Sequence, residues 1–216
     1  MQRSDKFYIN IGRQFGAGGM EIGKRLSQMF GIPFYDKELI YLASTESGIS
    51  REFFENVDEK PVQQIRGGFL GMLSSTFSDY YPSSTVLDKY ALFKIQSDVI
   101  RRVAKETSAV FIGRCADYIL REEPRCLNVF ICANTKDRIA RLRKSKRLNR
   151  CEDMSDREIM ELLEKGDKRR STYYNSYTHK VWGASGPYHL CLDSSWLGVD
   201  KCVEIIAQLV RERFTL

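Results

Sequence analysis

Apolar and polar residues alternate across positions 7–11 at the start of the chain, and this period of two predicts a β-strand. Several glycines follow, and across positions 22–30 apolar side chains then recur at the spacing of one helical face. Gly31 is typical of a helix C-terminus, and positions 32–35 predict a second short strand that ends at Asp36. A strand, a glycine-rich turn, a helix and a second strand are typical of an α/β fold with a parallel sheet.

Three more short apolar runs, at positions 109–112, 127–132 and 189–192, are typical of strands that are buried on both faces of a sheet. Each run is followed by sequence that is compatible with a helix, and apolar residues hold helical spacing across 199–214. Together with the two strands before them, these runs predict a three-layer α/β/α fold around a five-stranded parallel sheet.

Two segments depart from this alternation of strands and helices. Residues 38–95 predict a mostly helical insertion with a section rich in Gly and Ser, which we expect to belong to one domain, 1–216. Residues 136–150 hold eight Lys or Arg and one acid, whereas residues 151–165 hold six acids and two bases. The basic run is either an element that closes over an anion or a solvated helix paired with the acidic helix after it.

The composition indicates a globular protein with an anionic partner. The chain has 216 residues, 43% of them hydrophobic, and its 34 Lys and Arg against 28 Asp and Glu give a formal charge of +6. No apolar run approaches the ~20 residues of a membrane helix. The start of the chain also lacks a signal-peptide stretch, so we expect a cytoplasmic protein with no membrane partner. Six cysteines without a C-x-x-C pair, and only two histidines, disfavour disulfides and a zinc site.

The segment 12–23, GRQFGAGGMEIG, lies between the first predicted strand and the first predicted helix. A glycine-rich turn there lets backbone N–H groups converge on an anion at the helix N-terminus, so the segment predicts a phosphate-binding loop. The alternative is a tight turn with no ligand. Compared with G-x-x-x-x-G-K-[ST], the segment has Gly19 at the lysine position, no Ser or Thr after it, and Glu21 in the first turn of the predicted helix. We expect a nearby arginine to supply the missing charge, with Arg13 as the first candidate and Arg114 as the second. The alternative is that Arg13 points to solvent and that the loop binds phosphate without catalysing its transfer.

A second group of polar residues follows the predicted strand at 109–112. Gly113 and Arg114 come directly after it, and Asp117 lies three residues further on. Because ligands of parallel sheets bind beyond the carboxyl ends of the strands, these side chains are expected where substrate groups would sit. Arginine suits phosphate because its planar guanidinium donates two charge-assisted hydrogen bonds. A structural Arg–Asp ion pair is the alternative.

Several blocks of the sequence together resemble the cytidylate kinase-like family, relatives of bacterial cytidylate kinase among the P-loop nucleoside monophosphate kinases. The blocks are IGRQFGAGG at 11–19, IPFYDKEL at 32–39, IGRCAD at 112–117, YYNSYT at 173–178, WG at 182–183 and LDS at 192–194. The resemblance implies a P-loop kinase fold with a core, a helical acceptor-binding insertion and a lid. The core is then 1–37, 96–135 and 171–216, the insertion is 38–95 and the lid is 136–170.

The resemblance also implies ATP-dependent phosphoryl transfer, assisted by Mg²⁺, to a nucleoside monophosphate, with cytidine monophosphate or its deoxy form as the acceptor. A non-catalytic nucleotide-binding or regulatory protein on the same fold is the alternative, because the loop lacks the usual Lys and Ser/Thr. A nucleic-acid binder is a third interpretation, which we disfavour because the basic run is short and flanked by acids. Neither a protein ligand for a metal nor an oligomeric state is predicted.

The candidate site residues form three groups. The donor phosphates are expected on Gly16, Ala17, Gly18, Gly19 and Met20. The acceptor is expected at Asp36, Arg114 and Asp117. The charge that develops during transfer is expected to be neutralised by Arg13, Arg141, Arg147, Arg169 and Arg170.

Overall fold

The computed structural model describes residues 5–36, 87–145, 151 and 153–215 of the chain. The strands within these residues are β1 (Tyr8–Arg13), β2 (Phe34–Tyr35), β3 (Ala109–Ile112), β4 (Cys126–Cys132) and β5 (Leu190–Asp193). The helices are α1 (Gly19–Phe30), α2 (Leu87–Glu106), α3 (Ala116–Ile119), α4 (Thr135–Arg143), α5 (Asp156–Thr178) and α6 (Ser194–Phe214). Most of the predicted insertion, positions 38–86, and Arg147 of the predicted lid lie outside the described residues.

The chain divides into two compact units, residues 1–36 with 101–216 and residues 37–100. The five described strands all belong to the first unit. The described part of the second unit is helical and consists of residues 87–100 of α2. One domain with an inserted acceptor-binding segment stays a prediction.

The described strands form one parallel sheet in the order β2-β3-β1-β4-β5. The central strand β1 pairs with β3 on one side, where Ile11 lies beside Ile112, and with β4 on the other, where Arg13 lies beside Ile131. The carboxyl ends of all the strands therefore lie at the same edge of the sheet. Because the other strands extend outward from β1 in both directions, the end of β1 is the switch point at which open parallel sheets bind ligands.

Helices cover both faces of the sheet. On one face, Ile9 and Ile11 of β1 belong to the core shared with α1 and α6, where Ile206 of α6 is completely buried. Burial of one such side chain stabilises the fold by about 1.5–3 kcal/mol. On the other face, the Tyr8 hydroxyl donates a hydrogen bond to the carbonyl of Ala104 in α2. The predicted three-layer α/β/α fold with a five-stranded parallel sheet is confirmed.

The second strand is shorter than the predicted segment 32–35 because the residues before it complete α1. Gly31 has a left-handed φ of 63°, and the N–H of Ile32 donates to the carbonyl of Ser27 at 3.0 Å. This bond belongs to the helix C-cap, so Ile32 does not donate to the sheet. Pro33 has no N–H, and its carbonyl accepts the first sheet hydrogen bond, from Val110 at 2.9 Å.

The last helix begins earlier than the predicted position 199. The carboxylate of Asp193 caps it by accepting hydrogen bonds from the N–H groups of Ser195 at 2.7 Å and Trp196 at 3.3 Å. Gly198, with φ 77° and ψ 161°, then interrupts the helix and separates one N-terminal turn from the long segment. The extra turn brings Ser194 to the glycine-rich loop, as described below.

Candidate phosphate-binding site

The glycine-rich loop connects the end of β1 to the first turn of α1. Gly16 and Gly18 have φ angles of 77° and 82°, in the left-handed region that residues with a side chain rarely adopt. Gly18 is the N-cap of α1 and, having no side chain, makes no side-chain cap. The first N–H groups of an α-helix have no partner inside the helix, so this end of α1 presents hydrogen-bond donors and a partial positive charge.

The loop carbonyl groups are bound on the side of α4 and α6. Phe15 accepts from Arg138 Nε at 2.6 Å, Gly16 from Arg141 Nη1 at 3.4 Å, and Ala17 from Ser194 Oγ at 2.7 Å. No peptide bond of the described residues is cis, and in a trans peptide the N–H points opposite to the carbonyl. The N–H groups of Gly16 and Gly18 therefore point away from α4 and α6. This arrangement is suited to an anion on the opposite side of the loop.

Asp167 of α5 binds the other backbone group of Phe15. The Phe15 N–H donates to Asp167 Oδ1 at 2.7 Å, and the second carboxylate oxygen pairs with the guanidinium of Arg138, which is 7% exposed. Arg170 lies 3.6 Å from Asp167 Oδ1, and its guanidinium carbon lies 4.8 Å from the centre of the Phe15 ring. The predicted charge-neutralising Arg170 and Arg141 thus both contact the loop or its supports.

Arg13 lies at the end of β1, directly beside the loop. Its Nη2 atom is 3.5 Å from Oδ1 of Asp36, which is 6% exposed at the end of β2. A Cβ atom on Gly19 would lie 2.7 Å from Arg13 Cβ, and one on Gly113 would overlap its guanidinium. Arg13 therefore lies between two glycines. A lysine at position 19 does not fit while Arg13 keeps this position, which explains why the loop departs from the usual pattern there.

Three consecutive residues after β3 adopt left-handed backbone conformations. The φ angles of Gly113, Arg114 and Cys115 are 69°, 58° and 56°. This conformation costs roughly 1–2 kcal/mol for each residue with a side chain, and such strain is concentrated at functional sites. The Arg114 guanidinium carbon lies 6.0 Å from the ring centre of Tyr173 in α5. Because Arg114 follows the end of β3, it lies at the same edge of the sheet as Arg13, as the sequence predicts.

Asp117 of α3 is bound to α5. Its carboxylate accepts a hydrogen bond from the Tyr174 hydroxyl at 2.7 Å. Burial raises the pKa of Asp117, while this hydrogen bond and the charge of Lys180 lower it in part. Burial and the neighbouring carboxylate also raise the pKa of Tyr174. Among the described residues, Asp117 pairs with Tyr174 and not with Arg114, and its role toward an acceptor stays a prediction.

The other predicted residues lie around the loop or outside the described chain. Met20 is half-buried in the first turn of α1, and Arg169 is exposed on α5, while Arg147 is not among the described residues. The side chain of Glu21 is 63% exposed and lies 4.0 Å from Arg25. The carboxylate of Glu21 therefore points outward, which removes the repulsion that an acid in this turn would exert on a phosphate.

Three residues that support the loop are not among the candidate site residues of the sequence prediction. Arg138 stands in the basic run, yet it is buried, and its spacing from Leu142 of four residues places both on one face of α4. An arginine in phase with apolar residues is the signal that could have identified it. Ser194 ends the block LDS, but neither Ser194 nor Asp167 lies in a pattern that indicates a contact with a loop more than 150 residues away.

The sheet order, the loop between β1 and α1 and the position of the loop at the switch point define an α/β P-loop kinase-like fold. A shikimate kinase from Bacteroides thetaiotaomicron has this fold, with 15% identity and a TM-score of 0.52 over 97% of this chain and 99% of that chain. An uncharacterized protein from Eubacterium ventriosum is 25% identical, with a TM-score of 0.66 over 95% of this chain and 98% of that chain. A search of curated proteins finds no match. The profile of the cytidylate kinase-like family matches residues 8–196, so the chain belongs to that family.

The family and the fold together support a kinase that binds a nucleotide and acts on a small molecule. The loop fits the phosphate groups of a nucleotide, because the N–H groups of Gly16 and Gly18 lie at a helix N-terminus next to an arginine. Among the described residues no group of three or more His, Cys, Asp or Glu side chains is arranged to hold a metal ion, so we assign no protein ligand for Mg²⁺. In the same part of the chain, no helix has both the length and the apolar character needed to span a membrane.

Proposed function

We propose that this protein transfers the γ-phosphoryl group of ATP to a nucleoside monophosphate, with cytidine monophosphate or deoxycytidine monophosphate as the acceptor. The observation that carries the proposal is the loop, whose carbonyls of residues 15–17 are bound on one side so that the N–H groups of Gly16 and Gly18 point to the other. Membership of the cytidylate kinase-like family supports the cytidine nucleotide.

In this proposal the donor phosphates bind along Gly16–Met20. The backbone N–H groups and the helix N-terminus supply partial positive charges, and Arg13 supplies the full charge that a loop lysine would otherwise carry. The Arg13 guanidinium contacts Asp36 at 3.5 Å, so it lies between the loop and the end of β2. Mg²⁺ bound to the ATP phosphates would add further charge neutralisation. The protein's own contribution is to position the phosphates and to stabilise the charge that develops on them.

The acceptor would occupy the edge of the sheet beyond β2 and β3. A carboxylate accepts hydrogen bonds from the hydroxyl or amino groups of a nucleoside, and Asp36 is the buried carboxylate at that edge. Arg114 suits the acceptor phosphate because its guanidinium can donate two parallel hydrogen bonds. In the same proposal Asp117 is a further acceptor contact, and Arg141, Arg147, Arg169 and Arg170 contribute positive charge during transfer.

A nucleotide-binding protein that does not catalyse transfer is the second candidate. Two features favour it. Position 19 holds glycine in place of the usual lysine, and Arg13 pairs with Asp36, whose negative charge partly neutralises the guanidinium. Both candidates bind a nucleotide, and they differ in whether phosphate is transferred.

The test is a coupled assay of ADP formation from ATP and Mg²⁺, with a panel of nucleoside monophosphates and with shikimate as the acceptors. We expect turnover with monophosphates, fastest with the cytidine nucleotides. Arg13→Ala should lower kcat/KM by about 10- to 150-fold, the loss of one charge-assisted hydrogen bond. Arg25→Ala is the matched control, because Arg25 pairs with Asp200 on the surface of the same unit.

Three results would contradict parts of the proposal. Binding of ATP by calorimetry without turnover on any acceptor would favour the non-catalytic protein. Turnover with shikimate in place of the monophosphates would refute the acceptor. Equal kinetics for the Arg13→Ala and Arg25→Ala variants would refute the role of Arg13.

A further inference from the structure

Phe15 is bound through both of its backbone groups by one ion pair. Its N–H donates to Asp167 Oδ1 at 2.7 Å, and its carbonyl accepts from Arg138 Nε at 2.6 Å. The second oxygen of Asp167 pairs with Arg138 Nη2. The N–H and carbonyl of Phe15, the carboxylate of Asp167 and the guanidinium of Arg138 form a closed cycle of hydrogen bonds that joins α4 and α5 to the loop.

This cycle of hydrogen bonds determines the orientation of the peptide group between Phe15 and Gly16. Because the carbonyl of that trans peptide is bound by Arg138, its N–H, which belongs to Gly16, points to the opposite side. The left-handed φ of 77° at Gly16 then continues the loop toward Gly18. Rotation of the peptide would break the bond to Arg138 and leave a buried guanidinium without one of its partners, which is costly.

The side chain of Phe15 is enclosed by the same elements. Its ring packs against the apolar cluster of α4 and α5, which includes Leu142 and Leu163. A Cβ atom on Gly166 would lie 2.8 Å from the ring, so the ring lies directly against the α5 backbone. Apolar packing alone would hold the phenyl ring of Phe15 in place, and apolar residues at positions 138 and 167 would pack against it equally well. A buried ion pair is often no more stable than apolar residues of similar size, so the pair must be explained by the backbone that it orients.

We propose that Arg138 and Asp167 are positioning residues for the phosphate donor, which orient the Phe15–Gly16 peptide so that the Gly16 N–H donates to an anion on the loop. The inference rests on the proposed function only in taking that anion to be the triphosphate of ATP. Arg138 and Asp167 act through Phe15 and do not themselves touch the ligand. They also connect α4 and α5 directly to the phosphate site.

The test measures the binding of tripolyphosphate, ATP and cytidine monophosphate separately by calorimetry, in the full chain. Asp167→Ala should weaken tripolyphosphate and ATP binding by about tenfold, while cytidine monophosphate affinity changes by less than about twofold. Asp167→Asn keeps an oxygen that accepts from the Phe15 N–H, so we expect its effect to be smaller than that of alanine. Arg143→Ala is the matched control, because it breaks another α4–α5 ion pair, with Asp156 at 2.6 Å, that does not contact Phe15.

A spectroscopic readout reports on the peptide itself. In the wild type, tripolyphosphate should shift the amide resonance of Gly16, and Asp167→Ala should reduce that shift while Arg143→Ala leaves it unchanged. If Asp167→Ala does not fold, Asp167→Asn and Arg138→Lys provide the same comparison. A parallel loss of ATP and cytidine monophosphate binding, or no loss of either, would overturn the inference. A wild type that binds ATP without transferring phosphate would refute the kinase proposal and leave this inference in place, whereas a wild type that binds neither ATP nor tripolyphosphate would refute both.

Discussion

Gly19→Ala is expected to destabilise the protein only while Arg13 is present. A Cβ atom at position 19 would lie 2.7 Å from Arg13 Cβ and 3.0 Å from its Cγ, whereas the next neighbour, Ile11 Cγ2, lies at an ordinary 3.6 Å. Because the Cβ of Arg13 is attached to the β1 backbone, a change of rotamer cannot relieve the closest contact. Overpacking of this kind costs about 1–3 kcal/mol of unfolding free energy.

In an Arg13→Gly background the Cβ and Cγ atoms of residue 13, which obstruct the new side chain, are absent. Gly19 is not among the residues with positive φ and is the first residue of α1, so its backbone accepts alanine. Alanine is favoured over glycine in a helix by up to about 1 kcal/mol. The effect of Gly19→Ala on the free energy of unfolding should therefore change from a loss in the wild type to a neutral or positive value. The coupling free energy between positions 13 and 19 should be at least about 1 kcal/mol.

The assay is urea unfolding followed by circular dichroism, with linear extrapolation for the wild type, both single variants and the double variant. Gly186→Ala is the control, because a Cβ there meets nothing within 4 Å and should cost the same in both backgrounds. An equal cost of Gly19→Ala with and without Arg13 would refute the conclusion that Arg13 excludes a side chain, and hence a lysine, from position 19.

Three further predictions concern Arg114 at the acceptor edge, the carboxyl group of Asp117 and the support of the loop by Ser194. Arg114→Ala should weaken binding of cytidine monophosphate in calorimetry by about 1.5–3 kcal/mol. Arg114→Gly should be more stable to urea than Arg114→Ala by up to about 1 kcal/mol, because glycine tolerates the φ of 58°, and equal stability would contradict the strain. Burial raises the pKa of Asp117 above its ordinary value of 3.8, so the folded state holds this proton more tightly than the unfolded chain. The stability of the wild type relative to Asp117→Asn should therefore fall as the pH rises above that value, and parallel pH curves would contradict this. Ser194→Ala removes the donor to the Ala17 carbonyl, and we expect a loss of about 1–3 kcal/mol in unfolding free energy, whereas the exposed Ser176→Ala should have little effect.

The elements of the sheet were predictable because their signals are local. The run at 109–112 coincides with β3 as observed, since four consecutive apolar residues between Ser108 and Gly113 fit a strand that is buried on both faces. The segment 32–35 was predicted as a strand, but Ile32 belongs to the cap of α1. The apolar pattern does not distinguish these outcomes, because the choice depends on whether the Ile32 N–H bonds to Ser27 or to the sheet.

The roles of the arginines were less predictable. Arg13 ends β1 and Arg114 follows β3, so the parallel topology alone brings both to the edge at which open parallel sheets bind ligands. In the basic run, by contrast, the sequence does not separate Arg138, which is buried under the loop, from Arg143, which pairs with Asp156 at the surface. These arginines have the same chemistry, and only the packing of α4 against its neighbours makes them different.

The amino-acid sequence by itself determined the class of fold and the place of the glycine-rich loop between β1 and α1. Strand periodicity, helical spacing and the glycines of the loop act over a few residues, so they can be interpreted without the rest of the chain. The tertiary structure alone decided how the loop is held. The contacts of Phe15 with Asp167, of Ala17 with Ser194 and of Arg13 with Asp36 join residues that lie 23 to 177 positions apart. Such contacts depend on how the helices pack on the sheet, and that packing is a property of the whole fold, which no local pattern encodes.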